Sequence, residues 1–241
     1  MRVEYTSGPL AASALGSDPM AAFSAWFASA RAAASARSGP EANAMTVATV
    51  AADGTPSARM VLLKDVDAPA AAFTWYTNLA SRKAIELAVN DRAALCWWWP
   101  GEAPRQVRAV GRVTQVDRAT SADYFNSRPL GARIGAAASH QSRAVAHRTE
   151  LDERTDAIDP ANLELPEDWG GLRLVADELE FWQGRTGRLH DRITFLRLDD
   201  AGEPYAASAV AGAGGIEMVR AASTEVIDPA GTRWWRVRLE P

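Results

Sequence analysis

The segment Glu180-Phe181-Trp182-Gln183-Gly184-Arg185-Thr186-Gly187-Arg188-Leu189-His190-Asp191-Arg192 gathers an indole, three arginines and a histidine, broken by two glycines. On an extended chain Arg188 and His190, two residues apart, project from the same face. A guanidinium grips phosphate or carboxylate through a bidentate fork, and an imidazole near neutral pH donates, accepts or transfers a proton. Together they suit a small, phosphorylated, ring-shaped ligand. Taken alone, the segment also reads as an exposed hairpin carrying scattered charges.

Three further constellations carry the same chemistry. In Arg59-Met60-Val61-Leu62-Leu63-Lys64, strand alternation sends Arg59, Val61 and Leu63 to one face and Met60, Leu62 and Lys64 to the other. Charges at both ends of an apolar strand can bracket a ligand that is flat in the middle and polar at its rim; an ordinary barrel strand with snorkelling ends reads the same way. In Tyr76-Thr77-Asn78-Leu79-Ala80-Ser81-Arg82-Lys83 a strand turns into a helix with Ser81 as its expected N-cap. Hydroxyls, free amide N–H groups and two cations there can form a phosphate cradle without a glycine-rich loop; a capped helix with a solvated first turn reads the same way. Two cations in a first helical turn oppose the helix dipole, and a bound anion removes that conflict. The third constellation is Tyr124-Phe125-Asn126-Ser127-Arg128-Pro129, followed by Ser139-His140-Gln141-Ser142-Arg143. Tyr124 and Arg128, four apart on a helix, share a face and can hold a second phosphate or form a surface aromatic–cation pair.

The elements that position these groups are mostly strands. Runs over Thr46–Ala51, Arg59–Lys64, Ala72–Thr77, Ala93–Trp99 and Gln106–Val116 come first, then Leu172–Val175, Leu179–Gln183, Arg192–Leu198 and Trp234–Leu239. The first two are joined by Asp53-Gly54, a tight-hairpin signature. Helices are expected at about 20–36, where Phe23, Trp26, Phe27 and Ala30 recur at helical steps, and at Ser81–Val89, Ser121–Asn126 and on the surface at about 143–158. Residues 1–19 read as a mobile N-terminal arm and 20–241 as a single domain. Short antiparallel strands with few intervening helices predict a mainly β (α+β) fold, a β-barrel with peripheral helices.

Composition narrows the function. The 241 residues carry 26 basic and 30 acidic side chains, a net charge of −4, which argues against general affinity for nucleic acid or anionic membrane. The one cysteine, Cys96, sits in an apolar run and reads as a buried structural thiol; His140, His147 and His190 are far apart, with no HExxH or CxxC spacing, so no metal is expected. No GxGxxG or GxxxxGK[ST] loop occurs. No segment approaches the roughly 18 apolar residues of a membrane span, and a cytoplasmic protein is expected.

In this order, the constellations closely resemble the pyridoxine/pyridoxamine 5'-phosphate oxidase family. The matching stretches also include Arg2-Val3-Glu4-Tyr5-Thr6-Ser7-Gly8, Arg105-Gln106-Val107, Trp169-Gly170-Gly171 and the ending Arg236-Val237-Arg238-Leu239-Glu240-Pro241. The resemblance implies an FMN-binding split β-barrel, a homodimer with FMN at its interface, and oxidation of pyridoxamine or pyridoxine 5'-phosphate to pyridoxal 5'-phosphate, with dioxygen as acceptor and hydrogen peroxide as product. It further implies that Arg59 through Lys64 (Arg59, Met60, Val61, Leu62, Leu63, Lys64), Tyr76, Thr77, Arg82 and Lys83 hold FMN from one side, with Gln106, Gln141, Ser142, Trp182 and Arg192 completing that site. Lys64, Tyr124 and Arg128 would meet the vitamer phosphate. Arg188, Leu189 and His190 would lie against the substrate ring, Arg188 and His190 as catalytic residues, with Arg2 and Tyr5 closing above.

Three departures from the family pattern stand out: Ala132 where many members carry serine, His140 where lysine or glutamine is common, and an Ala/Gly-rich insertion at about 199–232 read as a surface excursion. Losing one hydrogen bond at Ala132 weakens binding severalfold, at about 1 kcal/mol. The competing readings are a related FMN-dependent oxidase of the phenazine-pathway type acting on another ring, and a split-barrel protein that binds flavin or haem without oxidase activity. Retention of Lys64, Tyr124, Arg128, Arg188 and His190 together favours the vitamer oxidase.

Overall fold

Period-two burial builds the sheet. In β1 (Ala44–Val50) every second residue, Met45, Val47 and Thr49, is buried, and β5 (Arg92–Trp99) buries Ala93, Leu95, Trp97 and Trp99 in the same way. The computed structural model describes residue 5 and residues 7–37, 41–205 and 215–241. The remaining strands are β2 (Pro56–Leu62), β3 (Asp65–Asp67), β4 (Ala72–Asn78), β6 (Arg105–Gln115), β7 (Trp169–Gln183), β8 (Asp191–Arg197), β9 (Thr224–Ile227) and β10 (Arg233–Leu239). The helices are α1 (Pro19–Arg37), α2 (Arg82–Val89), α3 (Arg118–Ser127), α4 (Leu130–Ala138), α5 (Arg148–Asp156) and α6 (Gly215–Ala222).

The strands pair antiparallel in the order β2-β1-β5-β6-β7-β8-β10-β9, with β3 and β4 branching from β7. β7 makes the split. Residues 172–183 pair with β6, while on the other edge residues 169–175 pair with β4 and residues 178–183 with β8. The Lys64 amide donates to the Thr74 carbonyl at 2.9 Å, which brings the chain after β2 back to β4. This is the expected mainly β split barrel with peripheral helices. Where the sequence suggests two strands, Leu172–Val175 and Leu179–Gln183, the chain stays in one strand across 176–178: the register shifts between Val110 and Gly111, and a bulge absorbs the extra residue.

Helix α1 lays Phe23 against Phe73 and Trp97, with ring centroids 4.9 and 5.0 Å apart, and Trp26 against Phe181 at 5.3 Å. The four apolar positions that predicted this helix all join the core, Phe23 and Trp26 buried, Phe27 and Ala30 partly so. The Asp53-Gly54 hairpin forms, with Gly54 at φ 84°. Helix α4 was not expected; its two glycines and the preceding Pro129 hid it.

The described residues of the insertion pack against the sheet. Within it α6 sets Val219 and Ile216 on Leu196, Leu198, Trp235 and Val237, a second apolar cluster, and β9 pairs with β10. Within the Ala/Gly-rich stretch, residues 206–214 lie outside the described residues and Gly215 opens α6. Among the described residues no helix is long and apolar enough to cross a membrane.

Candidate functional site

A cleft of about 990 Å³ opens between β2, β4, the start of α2, α3 and α4. Its volume lies at the top of the range of roughly 300–1,000 Å³ usual for small-molecule sites. One end is cationic. Arg59, on β2, donates through Nη1 to Thr49 Oγ1 at 2.6 Å and to the Val47 carbonyl at 3.2 Å. Lys83 is buried in the first turn of α2, and its ammonium donates to Gln141 Oε1 at 2.6 Å, Thr77 Oγ1 at 2.8 Å and Ser81 Oγ at 3.2 Å. Burial, and then the Arg59 charge, push that ammonium down to about 8. Ser81 does occupy the N-cap position with extended backbone angles, but its hydroxyl serves Lys83 and forms no cap hydrogen bond.

The other end is aromatic. Tyr76 stacks on Tyr124 with centroids 3.9 Å apart and on Trp169 at 5.3 Å, and the Arg128 guanidinium lies 5.0 Å over Trp169. Tyr124 and Arg128 do not share a helix face as expected. α3 stops at Ser127, and Arg128 is extended (φ −76°, ψ 150°), because Pro129 disfavours helical angles in the residue before it. The two side chains converge through Trp169 instead. Arg128 Nη1 is buried without a hydrogen-bond partner among the described residues. A buried cationic donor without an acceptor is costly, and an anion in the cleft supplies one.

The Trp182–Arg192 segment forms a separate cluster. Gln106, Trp182 and Arg192 lie directly opposite one another across β6, β7 and β8, with Trp98 next in the row. The rings of Trp182 and His190 are 4.7 Å apart, and Tyr5 lies 6.2 Å from Trp182 and 5.9 Å from His190. Gly184 permits this: a Cβ there would stand 2.7 Å from the Tyr5 ring and 2.8 Å from Pro104. The expectation of an extended chain here fails. Thr186–Arg188 is a short 3-10 turn, with Gly187 at φ 68° and Arg188 at φ 65°. Arg188 and His190 therefore meet the surroundings through a turn, not through strand alternation. His190 Nδ1 accepts the Arg185 amide at 3.1 Å, so a neutral ring carries its proton on Nε2. Asp191 ties the cluster down, accepting from the Leu10 amide at 2.8 Å and from Arg238.

Comparison with known proteins gives the family. A family model described as pyridoxamine 5'-phosphate oxidase matches residues 32–159, more than half of the chain. The chain belongs to the pyridoxamine 5'-phosphate oxidase family. A second model, the pyridoxine 5'-phosphate oxidase C-terminal dimerisation region, matches residues 169–241. The pyridoxine/pyridoxamine 5'-phosphate oxidase of Cupriavidus necator is 48% identical over 206 residues, covering 84% of this chain and 93% of that protein. The one from Trichormus variabilis is 45% identical, over 83% of this chain and 92% of its own. Among solved structures, PhzG from Burkholderia lata 383, in complex with tetrahydrophenazine-1-carboxylic acid, superposes with a TM-score of 0.75 at 21% identity, over 99% of this chain and 100% of that one. A pyridoxamine 5'-phosphate oxidase-related, FMN binding protein from Nostoc punctiforme gives 0.59 at 18% identity, over 74% of this chain and 92% of that one. These last two are likenesses of fold.

Within this oxidase-family chain, the residues singled out from the sequence fall into two groups. Arg59, Met60, Val61, Leu62, Lys64, Tyr76, Thr77, Arg82, Lys83, Tyr124, Arg128, Gln141 and Ser142 line the cleft, and Ala132 lines it too. Leu63 does not; just past the end of β2, its side chain is buried in the core. Tyr5, Gln106, Trp182, Arg188, Leu189, His190 and Arg192 lie outside the cleft of the same chain. Arg2 lies outside the described residues. Ser142 (φ 73°) and Arg188 are both non-glycine residues in the left-handed region, one in each group. Sequence reasoning missed Trp169 and Ser57 as parts of the cleft wall, and Glu86 behind it. The four-residue spacing of Arg82 and Glu86 is the signal that points to the last.

Proposed function

We propose that this chain is an FMN-dependent oxidase that converts pyridoxamine 5'-phosphate and/or pyridoxine 5'-phosphate to pyridoxal 5'-phosphate, reducing dioxygen to hydrogen peroxide. The observation that carries this reading is one cleft with cations toward both ends, Arg59, Arg82 and Lys83 at one and Arg128, over Trp169, at the aromatic other, with Lys64 also on its wall. Two phosphorylated ligands, each near a double negative charge, need two such ends. The fit to FMN rests on the donor set at the first end, and the fit to the vitamer phosphate on the partnerless Nη1 of Arg128 at the second.

FMN, when bound, supplies the redox chemistry, taking up the hydride that leaves the C4' carbon of the vitamer. The chain's own residues bind, orient and handle protons. Arg59, Arg82 and Lys83 hold the cofactor's phosphate, while Lys64, Tyr124 and Arg128 hold that of the vitamer. Gln106, Trp182 and Arg192 complete the cofactor site from the second group, with Arg192 braced by Glu180 at 2.7 Å. Arg188 positions the substrate ring, and His190, protonated on Nε2 when neutral, assists proton movement at that nitrogen. Tyr5 closes over the ring. Because the two groups are apart in one chain, the complete site is formed by a homodimer, the cleft of one copy facing the Trp182–Arg192 segment of the other. The reading places the enzyme in the cytoplasm.

The test is direct. The purified protein is expected to show a flavin absorption spectrum and, with pyridoxamine 5'-phosphate and oxygen, to release peroxide and the aldehyde together. A colourless protein that FMN does not reconstitute would contradict the reading. A yellow protein inert on both phosphorylated vitamers would point to an oxidase of another ring.

A further inference from the structure

Beneath the cationic end of the cleft lies one carboxylate, Glu86, in the second turn of α2 and only 5% exposed in its side chain. It touches both arginines. Oε1 accepts from Arg82 Nε at 2.7 Å, and Oε2 accepts from Ser57 Oγ at 2.6 Å, from Thr49 Oγ1 and, at 3.4 Å, from Arg59 Nη2. Burial alone would raise this carboxyl, but the hydrogen bonds from Ser57, Thr49 and Arg82, with the Arg82 charge, outweigh it and hold the group at about 2. It is therefore an anion throughout the working range of pH.

The geometry at Arg82 is specific. Glu86 engages only Nε, on the inner edge of the guanidinium, so the two terminal nitrogens remain for the cleft, which Arg82 lines while 57% exposed. A long, exposed arginine otherwise loses considerable rotamer freedom on gripping a ligand. Arg59 is held from the same carboxylate and from Ser57, Thr49 and the Val47 carbonyl. Helix α2 and the β1–β2 hairpin are thus pinned to one another at the point where the cations converge.

We infer that Glu86 is a positioning residue for the phosphate of the cofactor, fixing Arg82 and Arg59 before the ligand arrives. The inference rests on the reading of the cleft as the FMN site. Coulomb attraction alone predicts the opposite sign, since removing a carboxylate beside a phosphate site should tighten phosphate binding. Positioning predicts loosening.

The experiment titrates the flavin-stripped full-length protein with FMN and with riboflavin, which has no phosphate, following flavin fluorescence. Glu86→Ala is expected to weaken FMN about tenfold, the worth of a charge-assisted hydrogen bond, and to leave riboflavin unchanged. In an Arg82→Ala background the same substitution should cost less than in the wild type, only its hold on Arg59 remaining to be lost. Glu86→Gln, which keeps an oxygen for Arg82, covers the case in which the alanine variant does not fold, and it should lose FMN affinity in the same sense but less. FMN binding that tightens or stays the same, or FMN and riboflavin falling equally, overturns the positioning role. A wild-type protein that binds neither flavin overturns the reading of the cleft itself, a separate outcome.

Discussion

At the cationic end of the cleft every charged group is already engaged: Lys83 donates to three oxygens, Arg59 to a carbonyl, two hydroxyls and a carboxylate, and Glu86 accepts from four side chains. Around Arg188 the chain does the reverse. The turn is exposed, Leu189 is 67% exposed, and among the described residues Arg188 makes no ion pair or hydrogen bond. The first region is organised in advance by its own chain. The second has its backbone fixed, through His190 Nδ1 and Asp191, while its guanidinium is left available. A site of the first kind holds its side chains in place before its ligand binds; one of the second kind needs a surface brought to it.

The sharpest break of this comparison is Arg188→Ala. With no contact to lose in its own chain, the variant should keep its melting temperature and its FMN affinity. Its kcat/KM for pyridoxamine 5'-phosphate should fall between about tenfold and 100-fold, the range for a charge-assisted contact made only to substrate. Steady-state kinetics beside a thermal melt decide it, and near-normal turnover would remove Arg188 from the site.

A middle-sized effect belongs to Lys83. Its folded-state ammonium is pushed down to about 8 by burial and then by Arg59, and a bound phosphate favours the charged form. FMN binding therefore takes up a proton above that pH. Affinity should be level below about pH 8 and weaken as pH rises beyond it, and Lys83→Met should flatten the profile. Flavin titrations across this window check the sign.

The smallest effect is expected at Ala132, whose methyl lines the cleft. Ala132→Ser should lower the KM for the phosphorylated vitamer severalfold, by about 1 kcal/mol of binding, with kcat little changed.

Much of this comparison was legible in the sequence, for physical reasons that differ between residues. Arg59, Thr77 and Lys83 could be read because strand alternation and a strand-to-helix turn fix where such side chains go. Arg188 and His190 were named, but for a wrong local reason: two positive φ angles make a turn where alternation assumed a strand. Arg128 was paired with Tyr124 through a helix that Pro129 does not allow, and the tertiary neighbour Trp169 restored the pairing. Leu63 looked like its strand neighbours yet belongs to the core. Glu86 and Ser57 show their role only once α2 meets the β1–β2 hairpin, a long-range contact that local spacing does not encode.

The central claim is that one active site takes its cleft from one copy of the chain and its Arg188–His190 turn from another. Subunit complementation tests it most directly. A cleft variant, Arg82→Ala/Lys83→Met, and a turn variant, Arg188→Ala/His190→Ala, are each purified, mixed under conditions that exchange subunits, and assayed with FMN and pyridoxamine 5'-phosphate. If the site is shared, each mixed dimer has one site with both halves intact, and random exchange restores about a quarter of wild-type activity. A mixture no more active than its two components would contradict the account.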